Sequence, residues 1–555
     1  MKKKLITFLF LTFAIISLAG CNFSSIINDF FSFAGLSFDG GNPGDSNYQY
    51  SDISTPPAGE LVARKASYNM SDMVSNSVYP LSYTPSVGRT KLLIIPIWFS
   101  NSSAYIKVAN KENVREDIQK AYFGTNEETG WYSVKTFYEE ESHGALTLSG
   151  TVSEWRNVSD NFDKYAVDKD TSKTKAIVED SVTWYFRSHS DERRSDYDLD
   201  GDGYLDGVIL IYAAPDHTAL GIEEYDNLWA YCFWIQDYSA QDTRNPGTNA
   251  FFWASYDFMY GREKVSERTG YSYSTFGNNY ISGDTSHAEV DTHTYIHEMG
   301  HMFGLEDYYD YSEHKYSPAG SFSMQDHNIG SHDPYSSFVL GWGKAYVPTS
   351  STTIDLKPFT SSGEMILLTP QWNSGNSPFD EYLLLEYYTA DGVNALDTSY
   401  QYMKQYSKVY PLGSKVPGVR LWHVDSRLLY TRTGEFTASQ NETNPKTSKG
   451  RVALMMSNTY RDGSAYADQY ITPLGASYAD YNLLQLIRNN KSATYKPTDD
   501  FDKDALFVTN DTFKMSDYSR QFVNGGKLNN NKYLGFSFTV NACNSTYASI
   551  EIIKE

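Results

Sequence analysis

"YIHEMGHMFGLEDYYD", Tyr295 to Asp310, sets what the rest of the chain must build. Laid on a helix at about 100° per residue, Ile296, Met299 and Phe303 share one side and can pack on a sheet. His297 and His301, one turn apart, fall on the opposite side, where two imidazoles can share one ion. Glu298 lies between the two faces, placed to reach a water beside the ion rather than the ion itself. Gly304 suits the C′ position, where a left-handed residue ends a helix and turns the chain sharply. That turn can bring Asp307 back, completing a His-His-Asp set with one open position, which zinc accepts. Zinc would lower the pKa of a water there toward ~7, and Glu298 would take its proton during attack on a peptide carbonyl.

Other histidines and carboxylates are weaker candidates. His293, one turn before His297, reads as a capping or solvent-facing residue. Glu306 adjoins Asp307, and neighbouring side chains point apart, so only one of them should ligate. Glu313 is too close to His301 in sequence for a glutamate ligand. In "GSFSMQDHNIGSHDPYSSFVLGW", Gly320 to Trp342, Asp333 and Pro334 make an N-cap and N1 pair for a short helix. His327 and His332 read as polar loop residues, and His423 and Asp425 as a structural strand end.

A second metal-like pattern lies upstream in "DYDLDGDGYLDGV", Asp196 to Val208. Asp198, Asp200, Asp202 and Asp206 surround Gly203, and alternate carboxylates with a glycine at the sharp turn can wrap a calcium ion. The Tyr204 carbonyl is a candidate further ligand. Ile209 stands where an EF-hand would carry its bidentate glutamate, so the loop is not a full EF-hand.

The 555 residues exceed one compact core, which predicts more than one domain. A net charge of −22 argues against nucleic-acid binding, which needs a basic patch. Lys2, Lys3 and Lys4 precede an apolar run, Leu5 to Leu18, and then "LAGC" ending at Cys21, which together describe a secretory signal peptide. A run of about 14 residues is short for a membrane span of ~20. The cysteine after "LAG" resembles a bacterial lipobox, and that resemblance implies lipidation at Cys21 and an outward-facing or periplasmic location on a bacterial membrane. Residues 22–88 are expected to form a flexible tether or a short pro-segment.

From Lys91 onward buried strands alternate with helices. "KLLIIPIWF", "GVILIYAA" and "LWAYCFW" read as strands, while Val114, Ile118 and Tyr122, and then Ile177, Val178, Val182 and Tyr185, mark helices. "SVKTFYEEES" reads as a short helix and "ALTLSGTV" as a strand. After the metal motif, "EYLLLEYY" and "GVRLWHVD" are strand-like, and "YLGFSFTV" with "YASIEII" suggests a terminal hairpin. The expected class is α/β.

These stretches together resemble the immune inhibitor A family of bacterial metallopeptidases. The match is clearest in "HEMGHMFGLEDYYD", similar to that family's H-E-x-G-H-x-x-G-L-x-D-x-Y-D. It extends to "SVKTFYEEESHGALTLSGTVSEW", "DLDGDGYLDGVILIYA", "EYLLLEYY" and "GVRLWHVD", so it covers roughly residues 90 to 430. It implies zinc ligation by His297, His301 and Asp307 in a metzincin-like zincin domain with a mixed twisted sheet and an active-site helix, often supported by calcium. Metzincins carry a methionine turn below the metal, and Met324, 23 residues after His301, stands at that point. The residues after it, Gln325 and Asp326, supply no tyrosine for an oxyanion. The expected domains are 1–21 signal peptide, 22–88 tether, 89–430 zinc peptidase and 431–555 a β-rich unit. The expected function is a monomeric, lipid-anchored zinc endopeptidase acting on extracellular proteins or peptides. The alternative is a surface adhesin or binding lipoprotein on an inactive peptidase fold, against which the intact His297, Glu298, His301 and Asp307 argue.

Overall fold

The computed structural model describes residues 83–165, 172–217, 219–220, 227–235, 241–272, 288–305, 307–309, 318–370, 381–400, 411–425, 482–495 and 504–555, with the backbone of 62–63, 429–430 and 453–454. The signal peptide, Cys21 and residues Glu306, Asp310 and Glu313 lie outside these. Among the described residues no helix is long and apolar enough to cross a membrane.

The short strand β1 (Val62–Ala63) is followed by β2 (Gly88–Trp98), whose run from Leu92 to Ile97 is almost wholly buried. Around it stand β3 (Leu146–Val152), β4 (Arg156–Asn157), β5 (Gly207–Tyr212), β6 (Tyr231–Trp234) and β7 (Ala250–Ser255). The sheet order is β3-β2-β5-β7-β6, with β4 also beside β2. All pairs are parallel except β7 with β6, which is antiparallel. Parallel strands covered on both faces read as continuous apolar runs, which is the pattern of β2 and β5.

Alternation assigns the two faces. Leu93, Ile95, Ile97, Leu210, Phe251 and Trp253 pack with Ile177, Val178, Val182 and Tyr185 of the helix Ser172–Ser188. On the opposite face, Phe252 meets Tyr295 at 5.8 Å between ring centroids, and Tyr295 stacks on Tyr122 at 5.6 Å. Tyr122 belongs to α1 (Lys111–Phe123), which buries the expected Val114, Ile118 and Tyr122. Next to it lies α2 (Val134–Glu141), opened by a capping box at Ser133. Counting the helix Ser172–Ser188 as α3, the motif helix is α4 (His293–Met302), and α5 (Pro334–Val339) has Asp333 as its N-cap, accepting from the Ser336 N–H.

The rest of the chain is mainly β. The strands are β8 (Lys344–Tyr346), β9 (Thr352–Leu356), β10 (Glu364–Leu368), β11 (Glu381–Tyr388) and β12 (Gly418–Asp425), then the pair β13 (Leu429–Tyr430) and β14 (Ala453–Leu454). They are followed by β15 (Leu484–Ile487), β16 (Thr512–Lys514), β17 (Phe536–Cys543) and β18 (Ala548–Lys554). A second sheet runs β1-β8-β10-β11-β12-β15 and a third β16-β17-β18-β9. The terminal hairpin β17–β18 therefore pairs with β9, from before residue 430. Leu383, Leu385 and Leu421 of the second sheet share one core with Phe513, Phe538, Ile550 and Ile552 of the third. The described residues are thus mixed α/β, with several helices on one mixed sheet, two further large sheets and the two-stranded β13-β14 pair.

Candidate metal centre

Helix α4 crosses the sheet face beside its antiparallel edge. It starts where Asp291 accepts the His293 N–H at 2.9 Å. The His293 ring is buried, and its Nε2 meets the Asn328 carbonyl at 2.6 Å, so it neither faces solvent nor joins the metal group. The helix ends in a two-bond C-cap: the Gly304 N–H donates to the His301 carbonyl at 2.9 Å and the Leu305 N–H to Gly300 at 3.0 Å. Gly304 has φ 100°, a conformation only glycine adopts without strain.

The turn returns Asp307 to the helix. Asp307 Oδ1 lies 3.0 Å from His297 Nε2 and 3.4 Å from His301 Nε2, all within 4.8 Å of one another. Each ring is fixed from behind: His297 Nδ1 meets the Met324 carbonyl at 2.8 Å, and His301 Nδ1 the Leu305 carbonyl at 2.8 Å. A carbonyl can only accept, so each Nδ1 carries a proton and each Nε2 is turned inward. Two such nitrogens and a carboxylate oxygen cannot crowd together unless protons or a cation stand between them. Tetrahedral bonds of about 2.1 Å would separate donor atoms by roughly 3.4 Å, so the set fits a small divalent cation.

The electrostatics agree. Burial alone would raise the Asp307 carboxyl, but the charge of His301 and the hydrogen bonds from His297 and His301 outweigh it and hold it well below the ordinary range. Glu298 is raised, chiefly by burial, with Asp307 adding to the rise; His301, His297 and the main-chain N–H of Cys232 oppose it. That N–H comes from edge strand β6, so the sheet itself holds the glutamate. Tyr138 on α2 donates its hydroxyl to the Ile296 carbonyl at 2.6 Å, one residue before His297.

Behind the rings, Met324 is wholly buried, and its N–H donates to the Ser331 carbonyl at 3.0 Å. His327 and His332 are also buried, which corrects their reading as polar loop residues. His327 Nδ1 pairs with Asp326 at 2.7 Å. His332 sits among Phe137, Tyr138 and Trp342, where burial and the charges of His297 and His301 push its pKa down to about 3. Loop polarity was a poor guide because β12 covers this loop from behind, where Arg420 lies over Phe322, and Phe338 of the following helix α5 meets Tyr382 of β11.

The aspartate loop brings together Asp198, Asp200 and Asp206, each offering one oxygen within 4.8 Å of the others. Asp202 stands outside that group, and its carboxylate accepts the Tyr204 N–H at 2.7 Å. Asp206 accepts from Lys91 and Leu199, at 2.8 Å each, and ties the loop to β2. Asp198 Oδ2 accepts the Gly203 N–H at 3.1 Å, while its Oδ1 is buried without a hydrogen bond. Burial, then the neighbouring carboxylates, push Asp200 up to about 8; Asp206 is pushed up to about 7, mainly by burial.

A converging donor set of this kind, with a buried glutamate on the same helix, places the chain among the metallopeptidases. Residues 98–328 match the family described as immune inhibitor A peptidase M6, catalytic domain, in agreement with the resemblance read from the sequence. No curated protein matches the chain.

Proposed function

We propose that the chain is a zinc metalloendopeptidase, exported and lipid-anchored at Cys21, that cleaves extracellular proteins as a monomer. The observation that carries the reading is the convergence of two inward Nε2 atoms and the Asp307 carboxylate beside a buried Glu298. His297, His301 and Asp307 would hold the zinc. When bound, zinc polarises the scissile carbonyl and acidifies the attacking water. Glu298 is the general base: its raised carboxyl accepts the water proton readily and passes it to the leaving amine. The N–H of Cys232 keeps Glu298 turned toward the site. Edge strand β6 offers main-chain groups to an extended substrate segment, which would lie beside α4. The Lys2–Lys4 cluster, the apolar Leu5–Leu18 run and "LAGC" support export and anchoring. Calcium at Asp198, Asp200 and Asp206 would support the fold; the buried, unbonded Asp198 oxygen favours it.

The test is Glu298→Ala in the full chain. Zinc content should stay near one ion per chain, because the three ligands remain. Casein cleavage should fall by about 10²–10⁴-fold. Cleavage at the wild-type rate would sink the mechanism.

A further inference from the structure

Gln325 follows Met324, and its side chain is wholly buried against α4. Opposite it is Gly300, a mid-helix glycine, which costs about 1 kcal/mol relative to alanine. A Cβ on Gly300 would overlap the Gln325 amide oxygen and lie 2.7 Å from its Cδ. The helix is therefore notched at Gly300, and the Gln325 amide fills the notch.

From this position residues 324 and 325 reach two of the candidate ligands and the residue that follows the third. The Met324 carbonyl accepts from His297 Nδ1. The Gln325 carbonyl accepts the Tyr308 N–H at 2.8 Å, one residue beyond Asp307. The Gln325 amide nitrogen lies 3.4 Å from His301 Nδ1. That Nδ1 is a donor, since it also faces the Leu305 carbonyl. Amide oxygen and nitrogen are assigned by their hydrogen bonds. With the oxygen turned toward His301, a donor meets an acceptor, and the amide nitrogen then takes the position in the notch beside Gly300. The Gln325 N–H is itself held by Ser323 Oγ at 3.3 Å.

We propose that Gln325 is a positioning residue for the metal centre: it registers the His301 ring and the Asp307 segment against α4, and Gly300 is there to admit it. The proposal rests on reading His297, His301 and Asp307 as the ligands.

The experiment uses the full chain and measures zinc affinity by chelator competition, the absorption spectrum of the cobalt-substituted protein, and the melting temperature of the metal-free protein. Gln325→Met nearly conserves volume. It should bind zinc about 10–100-fold more weakly, shift the cobalt spectrum and leave the metal-free melting temperature close to wild type. Gly300→Ala should lose more affinity than Gln325→Ala, and the double variant Gly300→Ala/Gln325→Ala should regain part of what Gly300→Ala lost. Wild-type affinity and spectrum in Gln325→Met, with zinc lost in a His297→Ala control, would overturn the positioning role alone. A His297→Ala control that keeps wild-type affinity would remove the metal assignment and this role with it. A metal-free Gln325→Met that melts far below wild type would make Gln325 a packing residue and overturn the proposal, as would Gly300→Ala damage that is the same with or without the Gln325 side chain.

Discussion

Glu141, the last residue of α2, is a carboxyl wholly inside the protein. Its Oε2 accepts the His332 N–H at 2.9 Å. Burial, with nearby Glu140, Glu386 and Asp333, pushes its pKa up to about 8, and the His332 bond only partly opposes this. The unfolded chain titrates near ~4.3, so between there and about 8 the folded state holds a proton that the unfolded state has released. Stability from this group is therefore full at low pH and falls as pH rises through that window. Glutamine keeps the acceptor for His332 and cannot ionise. Glu141→Gln should be close to neutral near pH 4 and stabilising near pH 9, by an amount on the order of a few kcal/mol. Urea melts of both proteins across this range would check it; a constant difference at every pH would show that the fold does not raise the Glu141 carboxyl above its unfolded value.

At the scale of elements, the aspartate loop joins the metal-centre sheet to its own backbone: Asp206 bonds β2 and stands directly before β5. An ion among Asp198, Asp200 and Asp206 would offset the mutual repulsion of three converging carboxylates, of which Asp200 is exposed. Calcium at roughly 100 times its dissociation constant should add about 2.7 kcal/mol to stability. Asp198→Ala should abolish that gain; an equal calcium effect on the variant's melting would remove the site. The convergence of Asp198, Asp200 and Asp206 was legible because they are local in sequence, as were α4 and Gly304; that Asp202 turns to the Tyr204 N–H instead was not. Strands β2 and β5 were legible because burial on both faces leaves unbroken apolar runs. Strand β7 was not: "AFFWAS" is six residues long without alternation, and such a run does not separate strand from helix. Gln325, the Cys232 N–H and the Leu305 carbonyl were invisible because they act through main chain or across long sequence distance. The one hint was Gly300, a glycine inside a helix, which marks close approach of another group.

At the scale of the whole molecule, the sheets behind the catalytic half determine whether residues beyond 430 can be removed. Strand β12 lies before that point and β15 after it, and they are neighbours in one sheet. Buried Glu381 accepts the N–H of Asn530 at 2.9 Å and meets His423 at 2.8 Å, joining the terminal loop to that sheet. The same sheet supports the loop behind His297 and His301: Arg420 covers Phe322 at 4.5 Å, and the Leu486 N–H donates to Pro318 at 2.8 Å. Deleting residues 504–555 would strip Phe513, Phe536, Phe538, Val540, Ile550 and Ile552 from the shared core. At about 1.5–3 kcal/mol for each buried side chain, these six sum to roughly 9–18 kcal/mol, an upper bound set against a typical net stability of about 5–15. The truncated chain should therefore fail to accumulate as a soluble, zinc-binding protein, and limited proteolysis should find no stable fragment ending near residue 503. A soluble truncation with wild-type zinc affinity and casein cleavage would instead make the terminal strands a separable unit, free to serve a role of their own.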